Sequence, residues 1–377
     1  MGNLIDRRLW LKQSTLALTG LGLTPTLFSK SPNISLTNDH KHYLPGNTIL
    51  LNSNENAYGP SPAARKAILQ TYLTSNRYPD DYISVLKKRI ASHWNVSEEN
   101  ILLGAGSSEI IGLACQYAAK EKGHIITTEP SYKVWNNQAS AFGISFKKNP
   151  LPRKEKPELD KLYGPITSDT RMIYICNPNN PTGTVRDVKE IKEFSLKASK
   201  QTLVFIDEAY AEYAQLETLA TIAKTNPNII VAKTFSKIYG LAGARVGYAI
   251  AHPQTIKALS NYQPWPDSNV SAVSIAAAMA SLDDQTFVQD CWELTNKARD
   301  MCYSMFQQLS LDFISSSTNF ILFNIDKVAG NFVQGMKSRN IQVQFREHYN
   351  GKWCRVTMGT NEEMQVFTNA LKEIAAI

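Results

Sequence analysis

Two lysines, Lys233 and Lys237, bracket Thr-Phe-Ser just after the apolar run Ile229-Ile-Val-Ala. A lysine in a small-polar setting at a strand end can act as a Schiff-base nucleophile when burial or cationic neighbours lower its pKa. Without that setting it is an ordinary surface cation. Just beyond, Gly240-Leu-Ala-Gly-Ala-Arg245-Val-Gly sets a permanently charged guanidinium among glycines, a combination suited to a phosphate. Phe205-Ile-Asp-Glu-Ala-Tyr210 ends another apolar run. A carboxylate there can pair with a protonated ring nitrogen and keep it charged, or simply cap the next helix. Leu103-Gly-Ala-Gly-Ser-Ser-Glu109 joins a strand to a helix. Its glycines admit an anion close to the backbone, and the helix start offers free N–H donors to a phosphate; an N-cap serine over a plain glycine turn is the other reading. No third glycine arrives in register, so a dinucleotide-binding GxGxxG is excluded.

Two further segments concern anions and rigidity. Cys176-Asn-Pro-Asn-Asn-Pro-Thr-Gly183 is a stiff loop at the end of an apolar run, outside the carboxyl end of a strand, where α/β proteins bind ligands. Arg355, in Trp353-Cys-Arg-Val-Thr-Met-Gly, lies within an apolar strand and needs an anionic partner. A substrate carboxylate or phosphate is one candidate, a structural acid the other.

These residues need a frame that brings them together. Ile101-Leu-Leu-Gly, His124-Ile-Ile-Thr-Thr, Met172-Ile-Tyr-Ile-Cys, Thr202-Leu-Val-Phe-Ile-Asp, Ile229-Ile-Val-Ala and Val246-Gly-Tyr-Ala-Ile are apolar on both faces. Helical patterns over 108–120 and 188–200 separate them. Such alternation predicts an α/β domain with a mostly parallel sheet. After about residue 270 the pattern changes: 271–308 reads as one long helix, then come strands at Phe320-Ile-Leu-Phe and Cys354-Arg-Val-Thr, a smaller α+β unit. The chain therefore divides into a leader (1–30), an arm that joins the small unit (31–70), a large domain (71–270) and a small C-terminal domain (271–377).

Composition narrows the class. The chain has 377 residues, 43% hydrophobic and 19% charged, which excludes wholesale disorder and fibrous folds. Its formal charge is +7, of which residues 1–30 supply +3 through Arg7, Arg8, Lys12 and Lys30 against Asp6. The remaining +4 is too mild for a nucleic-acid-binding protein. Five scattered cysteines show no CxxC spacing and six histidines form no HExxH pair, so neither a disulfide scaffold nor a metal centre is expected. Asp-Arg7-Arg-Leu-Trp10-Leu-Lys precedes the apolar run Leu16-Ala-Leu-Thr-Gly-Leu-Gly-Leu23, the plan of an export signal of twin-arginine type. That leader predicts a periplasmic protein, or a cytoplasmic one if the leader is not functional. The body carries no apolar run long enough for a membrane span.

The order of these motifs resembles the fold-type I, pyridoxal-phosphate-dependent aminotransferases, and more narrowly the histidinol-phosphate aminotransferase family. The resemblance runs from Leu51-Asn-Ser-Asn-Glu-Asn-Ala-Tyr-Gly-Pro60 through Arg77-Tyr-Pro79 to Arg355-Val-Thr-Met-Gly-Thr360. It implies a large domain with a mostly parallel seven-stranded sheet, a smaller α+β domain, and pyridoxal 5′-phosphate as cofactor. By the same resemblance Lys237 would be the Schiff-base lysine and proton carrier, and Asp207 would hold the pyridine nitrogen protonated. Asn180 and Tyr210 would bond the ring's phenolic oxygen, and Trp135 would stack on the ring where the family usually has tyrosine. Ser107, Ser108, Thr234, Ser236 and Arg245 would hold the phosphate. Tyr78 would reach that phosphate from a second subunit of a homodimer. Tyr58, also from the partner, would join Asn180, Arg346 and Arg355 around the substrate. The implied reaction is ping-pong amino transfer between a donor (histidinol phosphate, an aromatic or another amino acid) and 2-oxoglutarate. A decarboxylase of the same fold, like threonine-phosphate decarboxylase, is the alternative. Ala57 stands where the family commonly has proline.

Overall fold

The computed structural model describes residues 48–133, 139–153, 155–328 and 332–375. The leader and Trp135 lie outside the described residues. In chain order the strands are β1 (Ile49–Leu50), β2 (Ile101–Gly104), β3 (His124–Glu129), β4 (Ser145–Pro150), β5 (Thr170–Cys176), β6 (Leu203–Asp207) and β7 (Ile229–Thr234). They continue with β8 (Gly247–Ala251), β9 (Phe313–Ile314), β10 (Phe320–Asn324), β11 (Ile341–Gln342), β12 (Gln344–His348) and β13 (Gly351–Thr357). Seven of them form one sheet in the order β2-β8-β7-β6-β5-β3-β4. Pairing is parallel from β7 through β4, and β8 runs antiparallel to both its neighbours. The mostly parallel seven-stranded sheet is thus present.

Alternation along each central strand fills both faces. On β5, Ile173 and Ile175 join one apolar core while Met172 and Tyr174 join another. Strand β4, Ser-Phe-Lys-Lys-Asn-Pro, escapes an apolar-run search because it is the sheet's half-exposed edge. There lysines and a proline are tolerated and discourage further pairing. Helices Ser107–Ala118 and Val188–Ala198 stand where the sequence pattern puts them, within two residues at each end.

The expected single helix over 271–308 is two helices, Ala272–Asp283 and Gln285–Gln308. Asp284 leaves helical geometry at φ −94°, ψ 66°, and its carboxylate accepts the Phe287 N–H, so it caps the second helix rather than continuing the first. The alanine-rich first helix contributes Ile275, Ala277, Ala278 and Leu282 to the core of the large sheet. The second passes from that core (Phe287, Cys291) into a separate one (Ala298, Cys302, Phe306). This separate core backs a four-stranded antiparallel sheet, β12-β13-β10-β9, and a short β1–β11 pair. Among the described residues no helix is long and apolar enough to cross a membrane.

Register aligns the ends that matter. Cys176 pairs with Asp207 and Asp207 with Ala232, while Gly104 pairs with Gly247 and Gly247 with Thr234. The carboxyl ends of β2, β5, β6 and β7 therefore lie at one edge of the sheet. The loops they feed carry Ser107, Asn180, Tyr210 and Lys237.

Candidate active site

A cavity of about 390 Å³ opens at that edge, lined by Lys237, Asp207, Tyr210, Asn180, Ser107 and Tyr132 from the large sheet's loops. Gln344, Arg346, His348 and Arg355 line it from the smaller sheet, and Asn54 from the N-terminal segment. The Lys237 Nζ donates to the backbone oxygen of Asn54 at 3.3 Å and stands 5.3 Å from the centre of the Tyr210 ring. Burial, with Arg355 and Arg245 adding positive charge, lowers its pKa to about 8, against weaker opposition from Glu55 and Asp207. The conditional requirement for a nucleophilic lysine is met here.

Asp207 is buried, and burial raises its pKa against the hydrogen bonds that favour its charge. Tyr174 donates its hydroxyl proton to Oδ2 at 2.7 Å and the Ala209 N–H donates to Oδ1 at 3.0 Å. The Tyr210 hydroxyl accepts from Asn54 Nδ2 at 3.0 Å and from Asn180 Nδ2 at 3.4 Å. Asn54 holds this corner firmly. It is buried at φ 55°, donates its own N–H to the Thr357 hydroxyl at 2.9 Å, and thereby ties β13 to Tyr210 and Lys237.

The β2–helix loop makes an anion cradle. Helix Ser107–Ala118 starts from Gly106 at φ 80°, with no side-chain cap over its first N–H groups. A Cβ at Gly106 would collide with the Arg245 guanidinium, so only glycine permits this approach. Arg245 donates to the Ser108 hydroxyl at 2.9 Å and to the Ser236 hydroxyl at 3.3 Å. The Ser236 N–H reaches the Thr234 hydroxyl at 3.1 Å. Uncapped helix N–H groups, the Ser108 and Ser236 hydroxyls and a guanidinium are thus joined here, a donor set suited to a phosphate, while the Thr234 hydroxyl donates to the Val246 carbonyl at 3.3 Å.

Across the cavity, strands β12 and β13 pair Gln344 with Arg355 and Arg346 with Trp353, which puts Gln344, Arg346 and Arg355 on one face. Arg355 is buried, and its guanidinium partners are neutral oxygens: Asn180 Oδ1 at 2.8 Å and the Asn52 carbonyl at 3.1 Å. Burial, with Arg346 nearby, lowers its pKa to about 10. Arg355 Nε, Gln344 Oε1 and His348 Nε2 are buried with no hydrogen-bond partner among the described residues. Burial and the Lys133 charge hold the His348 imidazole at about 4, so it is neutral at pH 7. A positive wall with the unspent Arg355 Nε–H suits an anionic ligand group.

Of the residues singled out in the sequence, Ser107, Asn180, Asp207, Tyr210, Lys237, Arg346 and Arg355 line the cavity itself. Ser108, Thr234, Ser236 and Arg245 are joined by hydrogen bonds beside Ser107 and do not line the cavity. Tyr58 and Tyr78 stand apart from both groups within this chain. Tyr58 packs away from the cavity, its pKa raised to about 12 by burial and the Glu362 charge. Tyr78 is 89% exposed and stacks on Trp265, ring centres 6.4 Å apart. Tyr132, Asn54, Tyr174, Gln344 and His348 join the site without a motif that marks them. The available signals were a hydroxyl inside the apolar run Met172-Ile-Tyr-Ile-Cys and polar alternation in Gln344-Phe-Arg-Glu-His.

The family description "Aminotransferase class I and II" matches residues 46–371, and the chain belongs to that family. It is a fold-type I aminotransferase whose cofactor is pyridoxal 5′-phosphate. Histidinol-phosphate aminotransferase of Bacillus velezensis is 33% identical over 331 residues, covering 86% of this chain and 91% of the relative. Histidinol-phosphate aminotransferase of Sinorhizobium meliloti, solved with pyridoxal-5′-phosphate, superposes with a TM-score of 0.78 at 24% identity, covering 93% of this chain and 99% of that one. L-threonine-O-3-phosphate decarboxylase of Porphyromonas gingivalis has the same fold: TM-score 0.76, 19% identity, coverage 87% and 100%. The donor set described above fits the cofactor. The Arg245, Ser108 and Ser236 donors suit a phosphate, Asp207 offers a buried carboxylate, and Lys237 has its pKa lowered to about 8.

Proposed function

We propose that this aminotransferase moves an amino group from a donor with an anionic end, histidinol phosphate or another amino acid, to 2-oxoglutarate in a ping-pong cycle. The carrying observation is Lys237, with its lowered pKa, set between Asp207, the phosphate cradle and the Arg346/Arg355 wall. Pyridoxal phosphate, when bound, supplies the carbonyl that takes the amino group and a protonated ring that accepts the electrons of the broken Cα–H bond.

The chain's own residues do the rest. Ser107 and Ser108 N–H groups, with Thr234, Ser236 and Arg245, would grip the phosphate. Asp207, whose burial calls for an opposite charge, would hold the ring nitrogen in its cationic form. Asn180 and Tyr210 would bond the phenolic oxygen, and Trp135 would cover the ring. Lys237, once released as a free amine, would take the Cα proton and return it at C4′. A pKa near 8 leaves a usable neutral fraction at physiological pH. Arg355 and Arg346 would bind the donor's anionic end and then a carboxylate of 2-oxoglutarate.

Tyr58 and Tyr78 would act in the neighbouring subunit of a homodimer. The exposed, stacked pair Tyr78 and Trp265 supports this as an apolar contact left open at the surface. The twin-arginine leader would deliver the folded, loaded enzyme to the periplasm. Secretion tests of the full chain with Arg7 and Arg8 replaced by lysine address that last point; unchanged export would remove it.

The test of the reaction is optical. The purified protein from residue 31 onward should show the visible band of lysine-bound cofactor. L-histidinol phosphate should bleach it and 2-oxoglutarate should restore it. A band untouched by that donor removes histidinol phosphate and turns attention to other amino acids. Carbon dioxide release without keto-product would convert the reading to the decarboxylase.

A further inference from the structure

We infer that Tyr174 is a positioning residue for Asp207, holding its carboxylate in the orientation that keeps the cofactor's ring nitrogen protonated. The inference rests on the aminotransferase reading given above. Tyr174 lies in the middle of β5, opposite Phe205 on β6, and the two rings stack with centres 5.7 Å apart. It is 1% exposed and belongs to the apolar core beneath the sheet. Packing alone would be served there by phenylalanine. The hydroxyl instead reaches forward to Asp207 Oδ2 at 2.7 Å, while the Ala209 N–H takes Oδ1 at 3.0 Å.

With both oxygens held from different elements, the carboxylate can neither rotate nor retreat into the core. A charge-assisted hydrogen bond of this length also favours the ionised form. That matters because burial pushes Asp207 toward protonation, and a neutral acid cannot stabilise a cationic ring nitrogen. Tyr174 keeps its own proton throughout, since burial and the Asp207 charge raise its pKa well above 10. It is therefore a donor, not an acid in the reaction. The other titratable groups around Asp207 are Cys176 from β5, Tyr132 from the β3 loop, Tyr210 and Glu208 from β6 and its loop, and Lys237 after β7.

Tyr174→Phe removes the hydroxyl and leaves the ring stack. Three quantities separate positioning from mere packing: cofactor dissociation from the reconstituted protein, the pH titration of the visible band, and kcat against KM for the donor. Loss of one hydrogen bond to a charged group should weaken cofactor binding about tenfold and lower kcat by a similar factor, with KM unchanged. The band's titration midpoint should move upward, because a ring less firmly held cationic withdraws fewer electrons from the group that titrates. The thermal unfolding midpoint of the cofactor-free protein, which loses the same hydrogen bond, should fall by only about 2 °C. Tyr174→Met, which fills the space without a donor, should reproduce the affinity and titration changes, and carries the comparison if the phenylalanine variant does not fold. Wild-type affinity, titration and kcat in both variants would overturn the inference while leaving the aminotransferase reading intact. A wild-type protein with no visible band would bring down both.

Discussion

Two lysines four residues apart on one strand and its loop, Lys233 buried and Lys237 half-buried, have opposite fates. The Lys233 side chain is closed in by Glu208 at 3.1 Å, Glu212 at 3.0 Å and the Trp94 ring at 4.4 Å. These acids outweigh its burial and raise its pKa. Glu208 is itself satisfied by the Thr218 hydroxyl at 2.7 Å and the Leu219 N–H at 2.8 Å, so the cluster is complete without a ligand. Lys237 has a backbone oxygen for a partner and arginines for neighbours, and its pKa falls to about 8. The adjacent acids divide the same way. Glu208 turns to the closed cluster and Asp207 to the cavity. Burial alone does not activate a lysine; burial with the matching anion withheld does.

The comparison breaks most sharply in turnover. Lys237→Ala should cut the rate by about 10⁴-fold or more, through loss of both the covalent anchor and the proton carrier; steady-state assays with the best donor check this. Lys233→Ala should act on stability instead. It leaves the buried Glu208 and the half-buried Glu212 without their cation, at a cost of about 3–5 kcal/mol in chemical denaturation. Residual folded enzyme should retain its wild-type visible band.

The smallest expected effect has the opposite sign. Lys237→Met should stabilise the cofactor-free protein at pH 7 by about 2 kcal/mol, since the wild-type lysine is held there in a site that disfavours its charge. With the folded pKa near 8 and the unfolded value at 10.5, the wild-type handicap is full below pH 8. It fades as pH rises toward 10.5, and the variant's advantage should fade with it. Lys233, with a raised pKa, behaves oppositely: its contribution is full below 10.5 and is lost above that value. Denaturation curves at pH 7 and pH 10 should show the Lys237→Met advantage fading while the Lys233→Ala cost persists.

Much of this was legible in the residues. Apolar runs at β2, β3 and β5 to β8 identify strands buried on both faces, parallel but for β8, because those strands have no wet face. The motifs that end them carry Ser107, Asn180, Asp207 and Lys237 to one edge because parallel strands end together. Other features depend on contacts between distant segments. Nothing local separates Lys233 from Lys237: both sit in Lys-Thr-Phe-Ser-Lys, and Glu212 reaches Lys233 only through the fold. Tyr174 reads as one more apolar strand residue until β6 sets Asp207 beside it. Strand β4 lacks an apolar signature because it is an edge, and the break at Asp284 turns on a single side-chain cap.

The central claim is that Lys237, not Lys233, holds the cofactor. Borohydride reduction of the yellow holoenzyme, followed by peptide mapping, tests it directly. The account predicts the pyridoxyl group on Lys237 alone. A label on Lys233, or on neither lysine, would contradict it.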